Sequence, residues 1–248
     1  MIQTEGIFVG GGAISVPIIG EDFNWTGGDG TYQVLDDGGG NWRIKSLSSG
    51  TFTPLKNMVV DAFLVGAGGG KGSARCGGGG AGYTTTVRSI TLAANTAYQI
   101  TIGAAGKNGS TGNSTSATDG TDGGTTSAFS IVAAGGKGST TGRGTGGTGR
   151  SGDGGSGGGG YISGGSNGVR GSAAGGTDGR DGTTATTAGG KGQGTTTREF
   201  GEADGDLYAS GGGDNLTATV PNSGNGGAYN VEPADGIVVI RQHKEVAA

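Results

Sequence analysis

The sequence predicts a mainly β protein: a small antiparallel β-sandwich with an inserted bundle of polyglycine-II helices and no substantial α-helix. Three observations carry this. Short β-branched and aromatic runs recur along the chain and are bounded by glycine, which reads as strands and turns. No stretch shows apolar residues at helical spacing. Glycine, 65 of 248 residues, falls at intervals of three across long segments: 146, 149, 152, 155 and 158, then 165, 168 and 171, then 176, 179 and 182. A period of three matches the polyproline II helix, whose backbone has no internal hydrogen bonds and must find partners outside itself. Collagen shares the period but stiffens each chain with proline, and this chain has four prolines, none between Gly135 and Gly194. Several short glycine rods bonded side by side through their backbones satisfy the pattern, and the run Gly146–Gly158 would be a rod roughly 40 Å long at about 3.1 Å per residue. The same composition also describes a disordered linker. What favours the bundle is that strands pin both ends of each insert, which reduces the entropy lost on ordering.

Taken in order, residues 1–20 read as an arm, with Ile7, Phe8, Val9, Ile14, Val16, Ile18 and Ile19 too few to fold alone and too apolar to stay wet. Residues 21–56 form an aromatic-rich region. In it Thr31–Leu35 and Asn41–Leu47 flank a turn at Asp36–Gly40, a hairpin with Trp42, Ile44 and Ser46 alternating against Arg43, Lys45 and Leu47. Residues 57–241 form the glycine-rich sandwich, with the bundle mainly at 135–194. Its expected strands are Met58–Val65, Tyr83–Leu92, Ala97–Ile102, Phe129–Val132 and the central Gly236–Arg241. Gly66, Gly69 and Gly72 keep the triplet spacing, as do Gly103, Gly106, Gly109 and Gly112. Residues 242–248 are a charged tail.

Composition narrows the function. Only 31% of residues are apolar, so part of the fold must be held by hydrogen bonds rather than burial. The net charge of −4 and singly scattered basic residues argue against nucleic acid as a partner. One cysteine, Cys76, excludes an intrachain disulfide, and one histidine, His243, disfavours a zinc site. With no signal-peptide pattern and no apolar run of about 18 residues, neither secretion nor membrane insertion is indicated, and assembly in a host cytoplasm is expected.

No motif points to catalysis. Matches to GxGxxG are expected by chance at this glycine content, and the lysines after glycine, Lys71, Lys107 and Lys137, are followed by Gly or Asn rather than the Ser/Thr of a phosphate-binding loop. Asp119, Asp122, Asp178, Asp181, Asp204 and Asp206 lack the nine-residue spacing of calcium-binding repeats and read as solvated turn residues. His243 reads as a surface histidine and Cys76 as a free thiol. The expectation is a protein that is not an enzyme and uses no cofactor or metal. The candidate binding residues are the large side chains that punctuate glycine: Tyr161, Ile162, Arg143, Arg150, Arg170, Arg180, Phe200 and Tyr208, with Arg198 beside them. They either seal the bundle or contact a receptor, since aromatics and arginine carry much of recognition energy.

The runs Met58–Gly70, Gly77–Thr86, Tyr98–Gly106 and Asp235–Arg241 resemble the glycine-rich domain of bacteriophage tail and tail-fibre proteins, and Asp36–Lys45 and Ser49–Pro54 resemble the lead-in such proteins carry. The resemblance covers residues 30–241. It implies a β-sandwich carrying polyglycine-II helices and a virion protein of the tail or fibre. It further implies other virion proteins as partners, a homo-oligomer with a trimer favoured, and contact with a bacterial surface glycan or protein. The alternative is a structural or decorating virion component without receptor binding. Glycine-rich receptor ectodomains share the cadence but are disulfide-bonded, unlike a chain with a lone Cys76.

Overall fold

The apolar run at Met58–Val65 lies at the centre of the architecture. In the computed structural model, which describes residues 16–72, 78–110, 118–139, 196–213 and 219–243, it is an interior strand with a buried face on each side. The strands are β1 (Phe23–Trp25), β2 (Tyr32–Gly38), β3 (Asn41–Ser46), β4 (Gly50–Pro54), β5 (Met58–Val65), β6 (Thr84–Leu92), β7 (Tyr98–Ile100), β8 (Thr126–Ala128), β9 (Ile131–Ala133) and β10 (Ile237–Gln242). They form a five-stranded sheet ordered β2-β3-β10-β5-β6, a three-stranded sheet β1-β4-β7 and a two-stranded sheet β8-β9, with every pairing antiparallel. Among the described residues the only helical element is a three-residue 3-10 turn, Glu199–Gly201.

The side-chain period of two sorts the large sheet into two faces. On the first, Trp42 and Ile44 of β3, Val60, Ala62 and Leu64 of β5, and Val238 and Ile240 of β10 join Phe23, Phe52 and Ile100 of the small sheet in one core. The stacked rings of Phe23 and Phe52 lie 5.3 Å apart. On the second face, Phe63, Val65, Ile237 and Val239 are covered by Phe200, Tyr208 and Ala209 from the segment that follows the long glycine insert. The large sheet is therefore the middle of three layers.

The predicted hairpin and its alternation hold: Trp42, Ile44 and Ser46 are buried on one side, and Arg43, Lys45 and Leu47 face the other. It is not a unit apart, because β3 pairs with β10 along Arg43–Ser46. The expected strand Phe129–Val132 is corrected. Phe129 and Ser130 are the two turn residues of the β8–β9 hairpin, with φ of 52° and 62°, and the strands lie either side of them. The Phe129 ring packs on Tyr98, 5.7 Å away, and this contact holds a turn that usually needs Asn-Gly.

Where β5 ends, the chain runs on as the hub of a hydrogen-bonded array of glycine segments. Gly66 and Gly69 donate to Tyr83 and Gly80, three residues apart on one neighbour, and Ala67 and Gly70 donate to Gly124 and Thr121 on another. In the other direction, the carbonyls of Ala67 and Gly70 accept from Gly136 and Ser139, and those of Gly68 and Lys71 accept from Gly106 and Gly109. Gly68 donates to Ala234, and the Gly69 carbonyl accepts from Gly227. Successive peptide groups thus bond to different neighbours and every third returns to the same one, which no sheet ladder does. Close approach requires glycine here: a Cβ on Gly68 would lie 1.8 Å from the Asn225 carbonyl oxygen, and one on Gly70 would lie 1.9 Å from that of Lys107. Most of the stretch expected to form the bundle, residues 140–195, lies outside the described residues, and the array is built from the shorter inserts around it.

Candidate functional site

On the second face of the large sheet the strand register places charges in a row. Arg43 of β3, Arg241 of β10 and Asp61 of β5 are direct cross-strand partners. Asp61 is fully buried. Its Oδ2 accepts from Arg88 Nη1 at 3.1 Å and from Arg241 Nε and Nη2 at 3.3 Å. Its Oδ1 accepts from the Ser89 N–H at 3.1 Å and lies 2.6 Å from His243 Nδ1. The Ser89 donor is available because β6 bulges opposite Asp61, between the pairs at Val60 and Ala62, with Ser89 at φ 60°. Burial pushes the Asp61 carboxyl upward, and the bonds from His243, Ser89 and Arg241 outweigh it and hold the group below its ordinary value of 3.8. His243, expected on the surface, is instead a half-covered partner of this carboxylate, with its side chain 22% exposed.

The segment around the 3-10 turn lies over this row. It closes on itself through the Arg198–Leu207 bridge, Glu199 N–H to the Asp206 carbonyl, and Arg198 Nη1 to the Gly205 carbonyl. Phe200 takes φ 55°, an uncommon conformation for a side chain of its size, and its ring is held between Phe63, 6.2 Å away, and the Arg241 guanidinium, 4.2 Å away. Its carbonyl accepts from Arg88 Nη2 at 2.7 Å.

Glu199, only 2% exposed, accepts from Arg43 Nη1 at 2.6 Å, Lys45 Nζ at 3.0 Å and the Tyr208 hydroxyl at 3.0 Å. Burial drives Lys45 toward its neutral form, but Tyr208, Glu199 and Asp206 prevail and raise its pKa. Burial, reinforced by the Glu199 charge, raises Tyr208. The hydrogen bonds that Arg43 donates to Asp37, then to Glu199, raise its pKa against its desolvation. Arg43, Lys45 and Tyr208 are thereby each held in their ordinary charge state, which suits a clamp. A salt bridge from Arg241 Nη1 to Glu202 Oε1 at 2.7 Å completes the outer edge.

Between this segment, the β2–β3 turn and the end of β10 lies a cleft of about 270 Å³. Asp37, Asn41, Glu202, Asp204, Asp206 and Gln242 are among the residues that line it. A second hollow of about 400 Å³ lies between Lys45, Leu47, Leu207 and Val220. Among the described residues no group of three or more His, Cys, Asp or Glu could hold a metal ion.

Phe200 and Tyr208, expected as receptor contacts, are 2% and 7% exposed and form the second core, so their rings are not available to a partner. Their burial follows from β5, whose alternate residues Phe63 and Val65 need a cover that a glycine chain cannot supply. Tyr161, Ile162, Arg143, Arg150, Arg170 and Arg180 lie outside the described residues. So do Ile7, Phe8, Val9 and Ile14 of the arm, whereas Val16 packs against the first core and Ile18 and Ile19 are exposed at 49% and 44%.

Sequence reasoning missed a second set of functional side chains, those that stand in for a neighbour's peptide carbonyl at the edge of the glycine array. Asn108 Oδ1 accepts from the Lys71 N–H at 2.7 Å while its Nδ2 donates to the Val231 carbonyl at 3.0 Å. Asp235 Oδ1 accepts from Ala105 N–H, Asn225 Oδ1 from Ser210 N–H and Ser139 Oγ from Gly72 N–H. Asp122, read as a solvated turn residue, accepts from Gly138 N–H and pairs with Lys137. The signal lay in the interruptions of the glycine triplets, where short polar side chains mark the array's boundary.

A model of the glycine-rich domain family matches residues 46–242, most of the chain. The chain belongs to that family. No curated protein matches it. The match begins at Ser46, the last residue of β3, and ends with β10, so it takes in the last strand and the covering segment and leaves β1, β2 and the wall of the cleft at residues 37–43 outside.

Proposed function

We propose that this glycine-rich domain protein is a virion structural protein of a bacteriophage tail or fibre, in which the glycine segments are polyglycine-II helices and the distal part of the domain contacts a host-cell receptor. The observation that carries the reading is the array around Gly66–Lys71, where hydrogen bonds between peptide groups join segments from five other parts of the chain. Such a body is stiff without a large core or disulfides, as a particle component exposed to solvent must be. The resemblance supplies the virion, and the partners follow from it: other virion proteins through the apolar arm, of which Ile18 and Ile19 are exposed, and further copies of the chain, as a trimer.

Receptor contacts fall to Tyr161, Ile162, Arg143, Arg150, Arg170 and Arg180 within the long insert. Binding of purified, labelled protein to host cells tests this. Saturable binding that is lost on replacing these residues by alanine supports it, and binding no greater than that of an unrelated β-protein refutes it. A purely structural role is the second reading, favoured by the burial of Phe200 and Tyr208, and failure of the cell-binding assay would leave it in place.

A further inference from the structure

We propose that the cleft of about 270 Å³ beside the 3-10 turn is a binding site for one neutral saccharide unit. This deepens the receptor-binding reading, on which its biological role rests, and it adds a contact at the sheet to those in the long insert.

Size comes first. The cleft falls just below the roughly 300–1,000 Å³ typical of sites for drug-sized ligands, so it suits a single sugar ring and not a peptide or an extended chain.

Rigidity follows from what holds the walls. Arg43 is fixed between Asp37 and Glu199, and Arg241 between Asp61 and Glu202. Arg88 secures the Phe200 carbonyl, and Arg198 secures that of Gly205. A cavity whose side chains are already ordered loses little entropy on taking a ligand.

Chemistry then selects the class. All three nitrogens of the Arg43 guanidinium, and all three of Arg241, already donate to carboxylates within the protein. The second hydrogens on Nη1 and Nη2 of each guanidinium remain, and acceptor capacity remains beside them. Glu202 is bonded through Oε1 and Asp206 through Oδ2, which leaves the second oxygen of each, and the exposed Asp204 carboxylate has no partner among the described residues. Vicinal hydroxyls donate readily to such paired oxygens, and the amides of Asn41 and Gln242 add both donors and acceptors. A phosphate or carboxylate ligand would bring its charge against the carboxylates of Asp37, Glu199, Glu202, Asp204 and Asp206, which outnumber the guanidiniums of Arg43 and Arg241. An apolar ligand would find Trp42 and Phe200 already packed, at 5% and 2% exposure.

The test is an NMR titration of the full chain with the methyl glycosides of glucose, galactose, mannose and N-acetylglucosamine, with inorganic phosphate and ethanolamine as controls. At least one glycoside should shift the amides of Asp204, Gly205 and Gln242 in a saturable way, and neither control should do so. The double variant Asp204→Ala, Asn41→Ala should weaken that binding about tenfold. Both residues line the cleft, and an unchanged thermal melt shows that the fold is intact. The proposal is overturned if no glycoside gives saturable shifts, if the double variant binds as well as the parent, or if ethanolamine moves the same amides as strongly. Host-cell binding without any glycoside response removes the cleft and keeps the receptor reading. A glycoside response without host-cell binding keeps the cleft and removes the receptor reading.

Discussion

Arg241 and Asp61 face each other across the β10–β5 pair, both buried, with the guanidinium 3.3 Å from the carboxylate. The pair ties β10 to a residue 180 positions earlier in the chain, and the same guanidinium stacks on Phe200 and holds Glu202. Arg241 is thus one of the residues, with Arg43, Lys45 and Arg88, that anchor the covering segment to the sheet.

Replacing Asp61 by Asn leaves Arg241 buried against a neutral group. Breaking a buried pair in this way costs about 3–5 kcal/mol, and urea denaturation of Asp61→Asn should show a loss of that size. Exposed Lys56→Ala, which breaks the surface pair with Asp22, should change stability far less.

Asp61 also sets a pH dependence. Its folded-state pKa lies below the ordinary 3.8, so the unfolded chain takes up its proton first as the solution is acidified. The stabilisation is complete above that ordinary value and is lost as pH falls from there through the folded-state pKa. Stability measured between pH 6 and pH 2 should therefore decline at the acid end, and Asp61→Asn should flatten the decline.

Tyr208→Phe removes the hydroxyl that donates to Glu199 but leaves Arg43 and Lys45 in contact with that carboxylate. The ring still packs on Phe63, 5.3 Å away. The expected loss is about 1 kcal/mol by denaturant titration, against roughly 3–5 kcal/mol for Phe200→Ala, which empties part of the second core.

Asn108 tests the capping of the glycine array. Asn108→Ala leaves the Lys71 N–H and the Val231 carbonyl without their partner and should cost about 1–3 kcal/mol for each. Asn108→Asp keeps the acceptor for Lys71 and loses the donor for Val231, so it should fall between Asn108→Ala and the parent.

Much of this fold was legible in the chain. The apolar run Met58–Val65 and the run at 236–241 became β5 and the central β10 because sustained β-branched sequence leaves few alternatives. The triplets at Gly66 and Gly103 marked real members of the array, since only glycine tolerates peptides packed from every side. The hairpin turn at Phe129–Ser130 was hidden, because its positive φ angles are held by a contact to Tyr98 and not by turn-forming residues.

The candidate site was legible hardly at all. Arg43 meets Glu199 across 156 positions, and Arg88 meets the Phe200 carbonyl across 112, pairings that only the completed topology creates. One clue was present. Phe63 and Val65 alternate with Ala62 and Leu64 in a strand apolar on both faces, which called for a second cover, and Phe200 and Tyr208 were large rings in an otherwise glycine-rich and polar stretch.

The central claim is that peptide groups, more than apolar side chains, hold the glycine segments together. Amide hydrogen exchange of the full chain, followed residue by residue, tests it most directly. The amides of Gly66–Gly70, Gly106 and Gly136 should exchange as slowly as those of β5 and β10, through global unfolding alone. Exchange of those glycines at the rate of an unstructured peptide, while β5 and β10 stay protected, would contradict it.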